Sequence, residues 1–121
     1  MIRPRSLKPA SQRQSTRQAR RTAFDAAVEI LSTEFSRPIR IEEVAQRVAV
    51  SPRQLQRVFA DEGELGFRSY LRRVRMSHAR SLLATTDLPV KEVARRVGYG
   101  NPSQFSKAFK RVHGIPPSQA R

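Results

Sequence analysis

The chain has 121 residues, with 24 Lys and Arg against 10 Asp and Glu for a net charge of +14, and no cysteine. That length holds one compact domain with a modest core, or two very small units sharing a spacer, and the basic excess calls for a polyanionic partner, nucleic acid ahead of an anionic membrane surface. The missing cysteines exclude disulfides, thiol catalysis and the common zinc sites; His78 and His113 stand far apart with no carboxylate pattern around them, so neither a metal nor any other cofactor is expected.

Residues 1–20 are Arg, Gln, Ser and Pro with almost nothing to bury, which predicts a basic disordered arm or linker. Seven cationic side chains and no acidic one fall within the first 21 residues, leaving a body of 100 residues that is still +7, from 17 minus 10. No apolar h-region follows this basic start, and no apolar run is long enough to span a bilayer. The expectation is a soluble, intracellular chain. "TAFDAAVEILSTEF" then places Phe24, Val28, Leu31 and Phe35 at spacings of four, three and four, one face of an amphipathic helix that ends near Ser36 on the approach to Pro38.

From Ile41 onward the sequence repeats itself. "EVAQRV" (Glu43 to Val48) returns as "EVARRV" (Glu92 to Val97), and "SPRQLQRVF" (Ser51 to Phe59) is matched by "NPSQFSKAF" (Asn101 to Phe109). The displacement grows from 49 to 50 residues, so the second turn is one residue longer. Each unit reads as a short helix, a turn and a second helix whose start is marked by Ser51 or Asn101 as N-cap, with Pro52 or Pro102 at the first helical position. Gly98 supplies the positive φ such a turn wants; in the first unit that place falls to Ala49, at a cost of roughly 1 kcal/mol if the turns share one conformation. The units are predicted over 41–62 and 90–112. Between them a helix over 67–84, about 27 Å long, carries Leu71, Val74, His78 and Leu82 at helical spacing, with Arg72, Arg73, Arg75 and Arg80 beside them, either as a solvating basic surface or as phosphate contacts. Gly114 ends the last helix, with His113 in the turn and Ile115 returning to the core.

A short helix, a tight turn and a second helix with a polar outer face make a helix-turn-helix, whose second helix fits the major groove of B-DNA. At i, i+4 spacing Leu55, Phe59, Phe105 and Phe109 are core residues. Opposite them, Arg53, Gln56 and Arg57 are competent base readers, since Arg bonds guanine and Gln bonds adenine bidentately. The matching Ser103, Ser106 and Lys107 are shorter or less planar. Gln54 and Gln104 each occupy the capping-box position; Gln54 is assigned to the cap and Gln104 to base reading. Lys110, Arg111 and Arg40 are assigned to phosphate.

The stretches "SPRQLQRVF", "YLRRVRMSHARSLL" and "VKEVARRVGYGNPSQFSKAFKRVHGIPPSQAR" resemble the DNA-binding domain of the AraC/XylS family of bacterial transcription regulators, and the resemblance covers about four fifths of the chain. It implies an all-α domain over 21–121 of about seven helices, two helix-turn-helix subdomains joined by a long linker helix. It also implies sequence-specific binding of double-stranded DNA as a transcription regulator, of the activating kind, with RNA polymerase as a further partner. No small-molecule ligand, membrane or enzymatic activity is expected, and the location is cytoplasmic, with the nucleoid. The competing reading is a basic protein that binds nucleic acid or anionic membranes without sequence preference. The chain departs from the family pattern at "DEGELGF", at Arg40 and Pro89, where helix-capping Ser or Thr is frequent, and at Ala120, where an aromatic residue is usual. The family includes both standalone domains and domains joined to an N-terminal sensor, and both arrangements stay open.

Overall fold

The computed structural model describes residues 8–121 except Glu64, with the backbone alone for residues 8–15. All regular structure among these residues is helical. Helix α1 is Lys8–Glu34, α2 Ile41–Arg47, α3 Pro52–Glu62, α4 Phe67–Thr85, α5 Val90–Arg96 and α6 Pro102–His113, followed by a 3₁₀ turn at Pro117–Gln119. Six α-helices and one 3₁₀ turn thus stand where about seven helices are predicted.

α1 corrects the expectation of a disordered arm. Residues 1–7 lie outside the described residues, but from Lys8 to residue 20 the backbone is helical and continuous with the amphipathic segment. The composition argument counts apolar residues and finds too few. It overlooks that Arg, Gln and Ala are good helix formers, that no glycine interrupts them, and that Pro9 falls in the first turn, where a missing N–H costs nothing. Residues 16–22 are exposed, while Ala23, Phe24, Ala27 and Leu31 are buried. The second half therefore folds by packing, and the first half extends from it.

Each repeat builds its own core. Phe24, Leu31, Val44, Leu55 and Phe59 centre the first, where Phe59 meets Phe24 and Phe67 edge-on at centroid distances of 5.3 and 5.4 Å. Met76, Leu83, Val93, Val97, Phe105 and Phe109 centre the second. α4 serves both in turn. Its N-terminal Phe67 and Leu71 enter the first core, and Met76, Ala79 and Leu83 enter the second. Of the predicted stripe only Leu71 is buried; Val74 and Leu82 are half-buried, and His78 is exposed, stacked on Phe35 at 4.0 Å. From Leu71 to Met76 is five residues, which turns the buried face by about 140°. A single stripe cannot describe a helix that changes partners midway.

The two turns adopt the same conformation. Val50 N–H donates to the Ala45 carbonyl at 3.0 Å and Ala49 N–H to that of Gln46 at 3.3 Å; Tyr99 to Ala94 at 2.9 Å and Gly98 to Arg95 at 3.1 Å repeat the pattern. This is the Schellman arrangement, which needs a left-handed residue after the helix. Gly98 has φ +99° and Ala49 φ +61°, so the alanine does carry the strain expected of it.

At the junction between the units, Phe35 packs against both cores. Arg75, expected to solvate α4 or to contact phosphate, is half-buried and donates from Nε to the Phe35 carbonyl at 2.8 Å and from a terminal nitrogen to the Arg37 carbonyl at 3.0 Å. Burial lowers its pKa without removing its charge, and its guanidinium lies over the Tyr99 ring, 5.8 Å from the centroid. Gly98 completes the contact: a Cβ there would stand 3.1 Å from the Phe35 carbonyl oxygen and 3.2 Å from Arg75 Nε.

Candidate nucleic-acid interface

The start of α3 is locked by side chains. Ser51 Oγ accepts from Gln54 N–H at 3.1 Å while Gln54 Oε1 accepts from Ser51 N–H at 3.0 Å, a complete capping box. Gln54 is therefore occupied by the cap. In α6 the Asn101 Oδ1 accepts from both Ser103 and Gln104 N–H, at 2.8 and 3.1 Å, and the cap needs no return bond from Gln104. The Gln104 side chain stays on the exposed surface. The sequence assigns Gln54 to the cap and Gln104 to base reading although both stand three residues after a cap, and the cap residues account for the difference: Asn101 reaches two N–H groups where Ser51 reaches one.

With Leu55, Val58 and Phe59 buried, the outward face of α3 presents Arg53, Gln56, Arg57 and Ala60, all exposed. With Phe105, Ala108 and Phe109 buried, α6 presents Ser103, Gln104, Lys107 and Lys110, with Ser106 half-buried beside them. Displaced by 50 residues, Arg53, Gln56, Arg57 and Ala60 correspond to Ser103, Ser106, Lys107 and Lys110 at i, i+3, i+4 and i+7, with Ser106 half-buried, and Gln104 is the counterpart of the capping Gln54. α3 thus offers two guanidinium groups and an amide, α6 one amide, two ammonium groups and hydroxyls. Arg111 is exposed near the end of α6, and Arg40 is exposed as N-cap of α2 with no side-chain cap bond.

The other charges sort into two groups. Arg37 bridges Glu34 and Glu43, and Arg47 holds Glu34 through two bonds of 2.8 and 2.7 Å. Arg47 and then Arg37 hold the Glu34 carboxyl down at about 2, and Arg37 likewise lowers Glu43. In the second unit Arg95 and Arg96 bond Glu92 at 2.5 and 3.2 Å and hold it at about 2. Arg20 and Arg21 face Asp61 and Glu62 at 4.0 and 3.0 Å. Arg20, Arg21 and Arg47 tie helix to helix, Arg37 ties the loop after α1 to α1 and α2, and Arg95 and Arg96 bond Glu92 within α5. Among the described residues Arg53, Arg57, Lys107, Lys110, Arg111 and Arg40 have no acidic partner within 4.0 Å. The acidic residues neutralise the scaffold and leave the reader faces positive.

Sequence reasoning singled out Arg72 but missed Arg68 and the cleft that brings the two together. Between α2, the start of α4 and the second turn lies a cleft of about 590 Å³, bordered by Gln56 of the first reader and Tyr99 of the second unit, with Arg68 and Arg72 on its α4 wall. Their i, i+4 spacing was the available signal. No group of His, Cys, Asp and Glu among the described residues could hold a metal ion, and no helix there is long and apolar enough to cross a membrane.

Comparison with known proteins agrees with this geometry. A family model described as a helix-turn-helix domain matches residues 44–121. The HTH-type transcriptional regulator GlxA of Rhizobium meliloti is 36% identical over 99 residues, covering 82% of this chain and 31% of GlxA. The C-terminal domain of AraT, a response regulator from Geobacillus stearothermophilus, superposes with a TM-score of 0.73 at 37% identity, covering 87% of this chain and 81% of that one. The DNA-binding domain of AdpA, a global transcriptional factor solved in complex with a target DNA, gives a TM-score of 0.73 at 27% identity over 80% of this chain and 86% of that one. The chain spans about a third or less of the length of the first curated relatives it matches.

Proposed function

The chain belongs to the AraC-type helix-turn-helix family of transcription regulators, and on that premise we propose that it binds a specific double-stranded DNA site by setting α3 and α6 into successive major-groove segments. One observation carries the reading: two capped helices stand 50 residues apart in sequence, each with its apolar face locked in a core and with outer-face residues at i, i+3, i+4 and i+7 that match the other's, all exposed except the half-buried Ser106. Base recognition needs that rigidity, because a bidentate bond to a base edge requires a side chain presented from a fixed backbone. The likeness to a domain solved on its target DNA supports the same assignment.

In this reading Arg53, Gln56 and Arg57 read bases at one end of the site, with Arg to guanine and Gln to adenine. Gln104 is the bidentate reader of α6, flanked by Ser103, Ser106 and Lys107, while Lys110, Arg111 and Arg40 seat on phosphates. Phosphate contacts fix register and base contacts carry sequence. The bound protein then regulates transcription, as an activator working with RNA polymerase at the nucleoid in the cytoplasm.

Selection of bound duplexes from a random pool tests the proposal. An asymmetric site spanning about two turns of DNA should emerge, retained against an excess of unrelated duplex. A pool that stays random through selection, with binding abolished by competitor, means a purely electrostatic protein and overturns the assignment.

A further inference from the structure

We infer that the N-terminal part of α1 is a further DNA contact of this chain, with Arg17 seating on the phosphodiester strand that flanks the first reader on the side away from α2. The inference rests on the function proposed above and concerns a stretch that precedes both helix-turn-helix units and the family match at residues 44–121.

The exposed face of α3 has two flanks, and a different helix stands on each. On one, Ile41 and Glu42 of α2 border Arg53 and Gln56. On the other, Thr16 and Arg20 of α1 border Gln54 and Arg57 across a cleft of about 210 Å³. A helix with its side chains is about 10–12 Å across, and the major groove is about 12 Å wide. A reader lying in the groove therefore fills it, and each of its flanks meets one of the two sugar-phosphate walls. The wall beside α2 is the one that the first helix of such a unit crosses. The opposite wall falls to α1.

The charge on α1 suits that neighbour. Seven cationic side chains and no acidic one fall within the first 21 residues. Residues 16–22 are exposed, and burial starts only at Ala23, so this stretch serves neither core. Arg20 and Arg21 are held by Asp61 and Glu62 of α3 at 4.0 and 3.0 Å, which pins α1 to the first reader. Arg17 lies one turn further out and has no acidic partner within 4.0 Å among the described residues. A helix anchored on α3 thus carries an unneutralised cation past the reader's edge. Ahead of Thr16 the backbone stays helical for the eight residues 8–15, about 12 Å, the axial length of about three to four base pairs. The contact should therefore extend the site at the end read by α3 and leave the end read by α6 unchanged.

The test uses the duplex returned by selection and the Arg17→Gln variant, with Arg17→Lys as the charge-retaining control and a thermal melt to check folding. One lost phosphate contact should reduce the slope of log affinity against log salt by about 0.9. Between 50 and 200 mM salt the unaltered protein should then lose about 3.5-fold more affinity than the Gln variant, with base preferences unchanged. Neutral methylphosphonates are next placed one at a time along each strand, outward from the base pairs that Arg57→Ala assigns to α3. A replacement on one strand at that end should weaken the unaltered protein and the Lys variant but leave the Gln variant indifferent.

Equal responses of all three proteins at every position overturn the inference, as does a difference confined to the end read by α6. So does loss of self-association by Arg17→Gln at an unchanged salt slope, measured by sedimentation, which would assign this face to a second copy of the chain. A preferred duplex alongside failed salt and methylphosphonate tests sinks the α1 contact alone. Absence of any preferred duplex sinks the function itself.

Discussion

Ala49 and Gly98 occupy the same left-handed turn position, one with a Cβ and one without, and exchanging them separates backbone strain from packing. An L-residue in this region costs about 1–2 kcal/mol, and replacing Ala by Gly returns about 0.4–1 kcal/mol of that through the greater freedom of the unfolded chain. Ala49 is exposed, so its methyl group contributes little packing. The balance for Ala49→Gly is a gain of about 0.8 kcal/mol, or about 3–6 °C in melting temperature for a domain of this size. Gly98→Ala incurs the same strain and drives a Cβ to 3.1–3.2 Å from the Phe35 and Ser36 carbonyl oxygens and Arg75 Nε. Its cost should exceed about 1 kcal/mol. Urea unfolding at constant m-value measures both. Ala49→Gly should leave the preferred DNA sequence unchanged, whereas Gly98→Ala should weaken binding by disturbing the junction. Destabilisation by Ala49→Gly, or stabilisation by Gly98→Ala, refutes the reasoning.

Arg57→Ala should erase preference at one base position, with a loss of about 1–3 kcal/mol. Lys107→Ala should lower affinity evenly across a panel of single-base-pair variants; an equally sharp single-base effect would make α6 a full reader at that position. Arg75→Met should cost about 2 kcal/mol, since two backbone carbonyls lose a charged donor; an unchanged urea midpoint would remove Arg75 from the junction. Glu34 and Glu92 lie far below the ordinary carboxylate value of 4.5, held at about 2 by Arg47 with Arg37 and by Arg95 with Arg96 respectively. A depressed carboxylate contributes stability above its unfolded pKa and loses it as pH falls through the folded one. Melting temperature should therefore decline from about pH 4.5 towards pH 2, and Glu34→Gln/Glu92→Gln should flatten that decline, which a pH series of melts would register or fail to register.

The repeat made most of the fold legible. Letters shared at a displacement of 49 and then 50 residues locate both helix pairs, and Ser51, Asn101 and the prolines after them mark where α3 and α6 begin. The reader faces follow, because Leu55, Phe59, Phe105 and Phe109 leave one side of each helix for solvent. What stayed hidden depends on tertiary neighbours. The register of α4 is invisible to a one-stripe search, since the helix is shared by two cores on different faces. Arg75 looks like any cation on a basic helix until the end of α1 is brought against it. Arg68 and Arg72 gain meaning only when α2 and the second turn close a cleft around them. The helical start of α1 is hidden for a different reason: a count of residues to bury ignores propensity, which can extend a helix already nucleated by packing.

Phe35 joins two cores that otherwise keep to their own repeats, and that has a consequence for how the molecule comes apart. With one aromatic side chain, its stack on His78 and the Arg75 bonds spanning the junction, the second repeat with the C-terminal half of α4 forms a unit that can open while the first stays closed. Amide hydrogens of α5 and α6 should then exchange through a sub-global opening of lower free energy than those of α3. DNA held by both helices would raise the weaker set towards the stronger, so protection factors across the repeats would report when the two halves act as one.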